Sequence, residues 1–331
     1  MRAIGYVIGL MVAMVALQSC EKDDGELEKA QSWTGSKRTF SEVLGADTLR
    51  ILAIGNSYTE DGTFLLRGIA EAAEMDMDKV CFYRLTRGSA SFFTWTECYD
   101  GMDFTDCEYT KVLGNLSTGI AEGKYNGGSV FRGILSEPWD VIIINQVSTH
   151  ATEYSSWGKH GVAGDLPKLL NIIGKHHPDV AVAVMLVHSY ADNYKNNTEQ
   201  SSYVRWQNIV NAHSQMLRDY CAVKAVIPQG TTVQNLRASS LNTANDLTID
   251  GTHLGRGLCR YAAACAVYET LFAPRTGVGI VGNSFRYACT PDERSKYPDG
   301  CVDVTDENAP IAQRAAELAC LDWTRVVDPE Q

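Results

Sequence analysis

Ile51-Leu52-Ala53-Ile54-Gly55-Asn56-Ser57-Tyr58-Thr59 decides the fold. An apolar run enters a glycine, then a serine, then the amphipathic pattern of Thr63–Ala73, where Phe64, Leu65, Ile69 and Ala73 recur near a period of 3.6. Strand, tight turn and helix in that order open a βα unit. Further short apolar runs lie at Val80–Tyr83, Trp139–Asn145, Val180–Val187 and Val223–Pro228. They lack strict polar alternation, as strands buried on both faces of a parallel sheet do. Helical patterns at Asp165–Lys175, Tyr203–Tyr220, Leu258–Phe272 and Pro310–Cys320 fall between or after them. The expected fold is α/β: a three-layer α/β/α domain around a parallel sheet of about five strands, joined by right-handed crossovers.

Such a sheet places Ser57 at the carboxyl end of its first strand, where ligands bind in open α/β folds. The serine amide then begins a helix, a favourable place for a developing oxyanion. A plain helix cap is the simpler role for Ser57 taken alone, since serine is a preferred cap. The balance shifts with Asp250-Gly251-Thr252-His253 after the last strand. In a turn, a carboxylate three residues before a histidine can hold one ring nitrogen and leave the other facing a serine.

The four blocks that carry these features resemble those of the SGNH (GDSL-like) hydrolase superfamily. Gly55-Asn56-Ser57 is similar to its first block and Asp250-Gly251-Thr252-His253 to its last. Gly88 follows the second strand and Asn145 ends the next. The likeness runs from about Thr48 to Phe272, and the Trp139-Asp140 strand block resembles a lipoprotein branch of the superfamily. The resemblance implies an SGNH/flavodoxin-like fold and an acyl-serine mechanism. Ser57, Asp250 and His253 would form the triad, with Ser57, Gly88 and Asn145 as the oxyanion hole. Asn56 stands where many members carry Asp, and Gln146 interrupts the usual wording after Asn145. The α/β-hydrolase elbow Gly-x-Ser-x-Gly fits less well, because its fifth position here is Thr59.

The ends of the chain add a destination. Arg2 followed by the uncharged apolar run Ile4–Leu17 reads as an export signal, too short to span a bilayer comfortably. Leu17-Gln18-Ser19-Cys20 resembles a bacterial lipobox, which would make Cys20 the lipidated residue of an outer-membrane lipoprotein. Residues 21–47 then read as a flexible polar tether, and 48–331 as a single hydrolase domain. That domain carries an edge insertion at 98–138 and a C-terminal extension at 273–331. Nine of the ten cysteines follow Cys20. Cys98 with Cys107 and Cys289 with Cys301 have loop positions suited to pairing, though sequence does not fix connectivity.

Among 331 residues, 45% are hydrophobic and 21% charged, an ordinary globular composition. The formal charge of −11 argues against nucleic acid as a partner. Gly277-Val278-Gly279-Ile280-Val281-Gly282 follows a helix and opens no βαβ unit, and Gly119–Lys124 is one residue short of a phosphate loop. No zinc-type spacing occurs, and neither metal nor cofactor is expected. His150, Trp157 and His188 follow strands and are candidate substrate contacts, with Trp157 placed to stack on a sugar. The expected activity is removal of small acyl groups, acetyl foremost, from carbohydrate. The alternatives are acyl transfer by the same triad and glycan binding without catalysis.

Overall fold

The computed structural model describes residues 33–161, 164–194, 200–244 and 246–331. Its centre is a seven-stranded sheet. Five strands are parallel: β1 (Leu49–Gly55), β2 (Val80–Thr86), β5 (Val141–Ile144), β6 (Ala181–Met185) and β7 (Val223–Ile227). Two more, β3 (Cys107–Leu113) and β4 (Gly123–Tyr125), extend the β2 edge in antiparallel fashion, giving the order β4-β3-β2-β1-β5-β6-β7.

The strands are apolar on both faces because each face has its own helical layer. Ile51 and Ala53 of β1 face one core, while Leu52 and Ile54 face the other. The first core is closed by α2 (Leu66–Ala72), α7 (Gln229–Arg237), α8 (Leu258–Leu271) and α9 (Ala309–Leu321). The second is closed by α3 (Phe92–Asp100), α4 (Gly127–Leu135), α5 (Leu166–His176) and α6 (Ser202–Asp219). This is the three-layer α/β/α arrangement expected from the run pattern, with two edge strands beyond the expected five. The alanines of α8 and α9 let those helices pack closely, so the C-terminal extension joins the main core.

Three local expectations change. The helix read at Thr63–Ala73 is two helices, α1 (Ser57–Thr63) and α2, broken at Phe64-Leu65. The segment 98–138 supplies β3 and β4 as well as α4, because Cys107 and Tyr109 turn one face of β3 into the second core while Val112 and Leu113 reach the first. Residues 33–47 are no free tether. The Trp33 indole donates to the Pro178 carbonyl at 3.2 Å, and Val43 and Leu44 are buried in the first core. The apolar side chains Trp33, Phe40, Val43 and Leu44 bind this otherwise polar stretch to the domain.

Residues 1–32, including Cys20, lie outside the described residues. Among the described residues no helix is long and apolar enough to cross a membrane. The thiols of Cys98 and Cys107 lie side by side within hydrogen-bonding reach, as do those of Cys289 and Cys301. All four are free.

Candidate active site

β1 has β2 on one side and β5 on the other, so the connections leaving it reverse direction there. Such a switch point opens a crevice at the carboxyl ends of the strands. Gly55 ends β1 at this place, and a Cβ on it would lie 1.8 Å from Asn145 Oδ1 and 2.1 Å from Thr59 Oγ1. Only glycine lets the β5 end and the first turn of α1 close in on the backbone together.

Asn56 caps α1, its Oδ1 accepting the Tyr58 amide at 3.0 Å. Capping is therefore done by Asn56, and the Ser57 hydroxyl is left for another partner. That partner is His253, whose Nε2 lies 3.0 Å from Ser57 Oγ. The other ring nitrogen, Nδ1, is 2.6 Å from Asp250 Oδ2. An ionised carboxylate only accepts hydrogen bonds, so Nδ1 carries the hydrogen and Nε2 presents its lone pair to the serine.

Asp250 is itself fixed. Its Oδ1 accepts the amides of Thr252 and His253 at 2.9 and 2.8 Å and the Thr252 hydroxyl at 2.8 Å. Partial burial pushes its pKa up, but the hydrogen bonds from His253 and Thr252 outweigh that and lower it to about 2. Gly251 makes the turn possible with φ +88°, where a Cβ would also press within 2.6 Å of the Tyr194 ring.

The cleft above Ser57 and His253 has a volume of about 480 Å³. Phe93, Phe104, Tyr190 and Tyr194 supply aromatic wall, and Ser89, Ser91, Thr94, Ser148, Thr149 and Thr252 supply hydroxyls. No Asp, Glu, Lys or Arg lines it among the described residues. Arg205 steadies one wall from behind, donating to the Ser148 carbonyl at 2.6 Å with its guanidinium 3.9 Å over the Tyr190 ring.

His150 lines the cleft, with Nδ1 3.2 Å from Glu153 Oε2. Two other expected contacts, Trp157 and His188, and the expected oxyanion donor Asn145 take different places. Trp157 is 0% exposed, packed edge-on to Phe92 with its indole donating to the His150 carbonyl at 2.9 Å. It belongs to the core and cannot stack on a sugar. Trp157→Ala is expected to cost about 3–5 kcal/mol of stability, seen as a lower midpoint in urea unfolding. His188 is 1% exposed and sits beneath the histidine turn, outside the cleft. Asn145 is also buried. Its amide nitrogen donates to Asn56 Oδ1 at 3.0 Å and the Gln146 carbonyl at 3.2 Å, while its Oδ1 accepts the Thr59 hydroxyl at 2.7 Å. Asn145 is thus committed as a buttress between β5 and α1 instead of offering the expected free donor.

Gly88 is exposed and does not line the cleft, though its neighbour Ser89 does. The bond that closes this turn, from the Ala90 amide to the Arg87 carbonyl at 3.2 Å, uses neither the Gly88 nor the Ser89 amide. The Ser57 amide likewise has no partner within its helix, being the first helical residue.

Residues 50–296 match the family described as a domain of unknown function, DUF4886. The chain belongs to the DUF4886 family. A solved DUF4886 protein from Bacteroides uniformis ATCC 8492 has 23% identity to it and a TM-score of 0.67, covering 85% of this chain and 98% of that one. At that identity the match shows a shared fold. Two more distant structures are a gut microbial diltiazem-metabolizing enzyme and a possible lipase from Chitinophaga pinensis DSM 2588. The first has 10% identity and a TM-score of 0.34 over 75% of this chain and 49% of that one. The second has 12% and 0.30 over 54% and 66%. No curated protein matches the chain. Within this DUF4886 domain, sequence reasoning missed Tyr190 and Tyr194. Their signal was position, directly after an apolar strand whose carboxyl end faces the crevice.

Proposed function

We propose that this protein is an SGNH-type serine esterase that removes small acyl groups, acetyl foremost, from uncharged carbohydrate. The observation that carries the reading is the unbroken line Asp250 Oδ2–His253 Nδ1 at 2.6 Å and His253 Nε2–Ser57 Oγ at 3.0 Å, open to a cleft. Ser57 Oγ attacks the ester carbonyl as its proton passes to His253 Nε2. Asp250 stabilises the imidazolium that results. The amides of Ser57 and of Ser89, the cleft-lining residue after Gly88, are the donors offered to the tetrahedral oxygen. His253 then gives its proton to the departing sugar oxygen, leaving acyl-Ser57. A water molecule, deprotonated by the same nitrogen, releases the carboxylic acid and restores the serine.

The lining supports the substrate class. Flat rings stack on sugar faces and hydroxyls exchange hydrogen bonds with sugar hydroxyls, while a carboxylate would lose water without meeting a cation among the described lining residues. The expected result is acetate release from acetylated neutral glycosides at least about tenfold faster than from acetylated glucuronic acid, a difference of about 1.4 kcal/mol. Acetate appearing from neither substrate would remove the proposal. Equal rates would remove its charge selectivity.

Export and lipidation at Cys20 belong to the same proposal, which places the enzyme on the outer membrane. Trp33 meets the domain at Pro178, just before β6 begins, whereas Ser57 lies at the carboxyl end of β1. Trp33 therefore meets the domain at the amino-terminal edge of the parallel sheet, and the cleft opens at its carboxyl-terminal edge.

A further inference from the structure

We propose that His188 and the buried pair Asp61–Arg260 are positioning residues that clamp the backbone on both sides of His253 and so align its ring with Ser57. The inference rests on Ser57 and His253 being nucleophile and base.

The need for a clamp comes from the turn itself. His253 and Asp250 are both well exposed, with side chains 36% and 48% accessible, so surface packing holds neither in place. The polypeptide beneath them is held instead. His188 Nε2 lies 2.7 Å from the Thr252 carbonyl, immediately before His253. A carbonyl only accepts, so this nitrogen carries the hydrogen and Nδ1 keeps a lone pair. The amide of buried Gln229 fills that lone pair at 3.2 Å and donates its other hydrogen to the Tyr58 carbonyl at 3.3 Å. Burial also holds the His188 pKa down to about 3, which keeps the ring in this neutral form. The Tyr58 ring completes the layer, 4.0 Å from His188 and edge-on to His253 at 6.1 Å. The residue beside the nucleophile is thereby linked to the residue beside the base.

The second arm grips the other side. Asp61 lies one turn beyond Ser57 on α1 and is 0% exposed. Its Oδ2 accepts the Leu254 amide at 2.9 Å, immediately after His253, and its Oδ1 meets Arg260 Nη2 at 2.5 Å. Arg260 Nε in turn donates to the Leu254 carbonyl at 3.4 Å. A buried ion pair of this kind is weak evidence for stability, because desolvating both charges offsets most of their attraction. Its placement fits a geometric role, since the helix that carries Ser57 also carries the carboxylate that holds the histidine turn. A misplacement of about 1 Å between reacting groups can cost roughly a hundredfold in rate.

The test compares His188→Phe, His188→Gln and wild type in the full chain, using para-nitrophenyl acetate and a fluorophosphonate that labels active serines. Phe keeps a ring against Tyr58 but cannot donate to Thr252, whereas Gln restores an amide donor. The expected result for His188→Phe is kcat lower by roughly 10- to 100-fold with KM nearly unchanged, since His188 does not line the cleft. Labelling of Ser57 slows in parallel, and His188→Gln recovers part of both rates. Gln229→Leu, which removes the donor to His188 Nδ1, supplies a second reading of the same arm, and its kcat falls in the same sense. Folded His188→Phe that melts earlier yet keeps wild-type kcat and labelling marks a merely structural histidine and overturns the inference. Wild type that takes no label at Ser57 overturns the nucleophile reading instead, which separates the two failures.

Discussion

Ser57→Ala removes ester hydrolysis by a factor of roughly 10⁴–10⁶ in kcat while leaving the fold intact. The size of the effect follows from what the hydroxyl does. It meets His253 Nε2 at 3.0 Å, and without it the imidazole has no bound proton donor to convert into an attacking oxygen. The absence of a folding penalty follows from Asn56. That residue caps α1 through its own Oδ1, so the helix start survives loss of the serine oxygen. Parallel measurement of para-nitrophenyl acetate turnover and thermal unfolding checks both halves. A variant with less than tenfold loss would return Ser57 to an ordinary first-turn residue. A variant that is inert but unfolded would show that the hydroxyl has a structural partner besides His253.

Asp250→Asn is expected to lower kcat by about 10⁴ at neutral pH, by a different route. The asparagine oxygen can still accept the Thr252 and His253 amides, so the turn keeps its shape. Its amide group, however, now faces His253 Nδ1 as a donor. The ring answers by moving its hydrogen to Nε2, where it points at Ser57 and cannot accept the serine proton. The same substitution has a signature in stability. Asp250 has a folded pKa lowered to about 2 from an ordinary value near 4. A depressed carboxylate stabilises the fold above its unfolded pKa, and that contribution is lost as pH falls from about 4 through 2. Denaturant unfolding between pH 5 and 2 should therefore show a shallower acid slope for Asp250→Asn than for wild type. An equal slope would mean the carboxylate is no better held in the fold than in the unfolded chain.

The parallel part of the fold is legible because its signals are local. Runs such as Ile51–Ile54 and Val141–Ile144 are buried on both faces and read as such without a partner in view. The strand–Gly–Asn–Ser–helix junction and the Asp-x-x-His turn are equally local, and chain order alone suggests that they meet. What the sequence does not carry is direction. Trp157 and His150 are close in sequence and even hydrogen-bonded, yet one turns into the core and the other into the cleft. Asn145 ends the right strand, but whether its amide faces the cleft depends on Asn56 and Thr59, nearly ninety residues away. Asp61 was readable in principle: a carboxylate one turn past the serine, among residues that face the core, demands a buried cation. Arg260 supplies it from a helix otherwise rich in alanine. The antiparallel edge escaped because β4 has three residues and the pairing of β3 with β2 shifts register between Phe82 and Tyr83, which breaks the alternation of β3.

Peptide mapping after fluorophosphonate treatment tests the central claim most directly. The predicted result is one covalent phosphonyl group per folded chain, on the peptide bearing Ser57, with none on the Ser57→Ala protein. Labelling is expected to slow sharply in His253→Ala, because the serine then lacks its base. An adduct on another serine, or an unmodified chain that is otherwise folded, would contradict the assignment of Ser57 as the nucleophile and with it the proposed esterase.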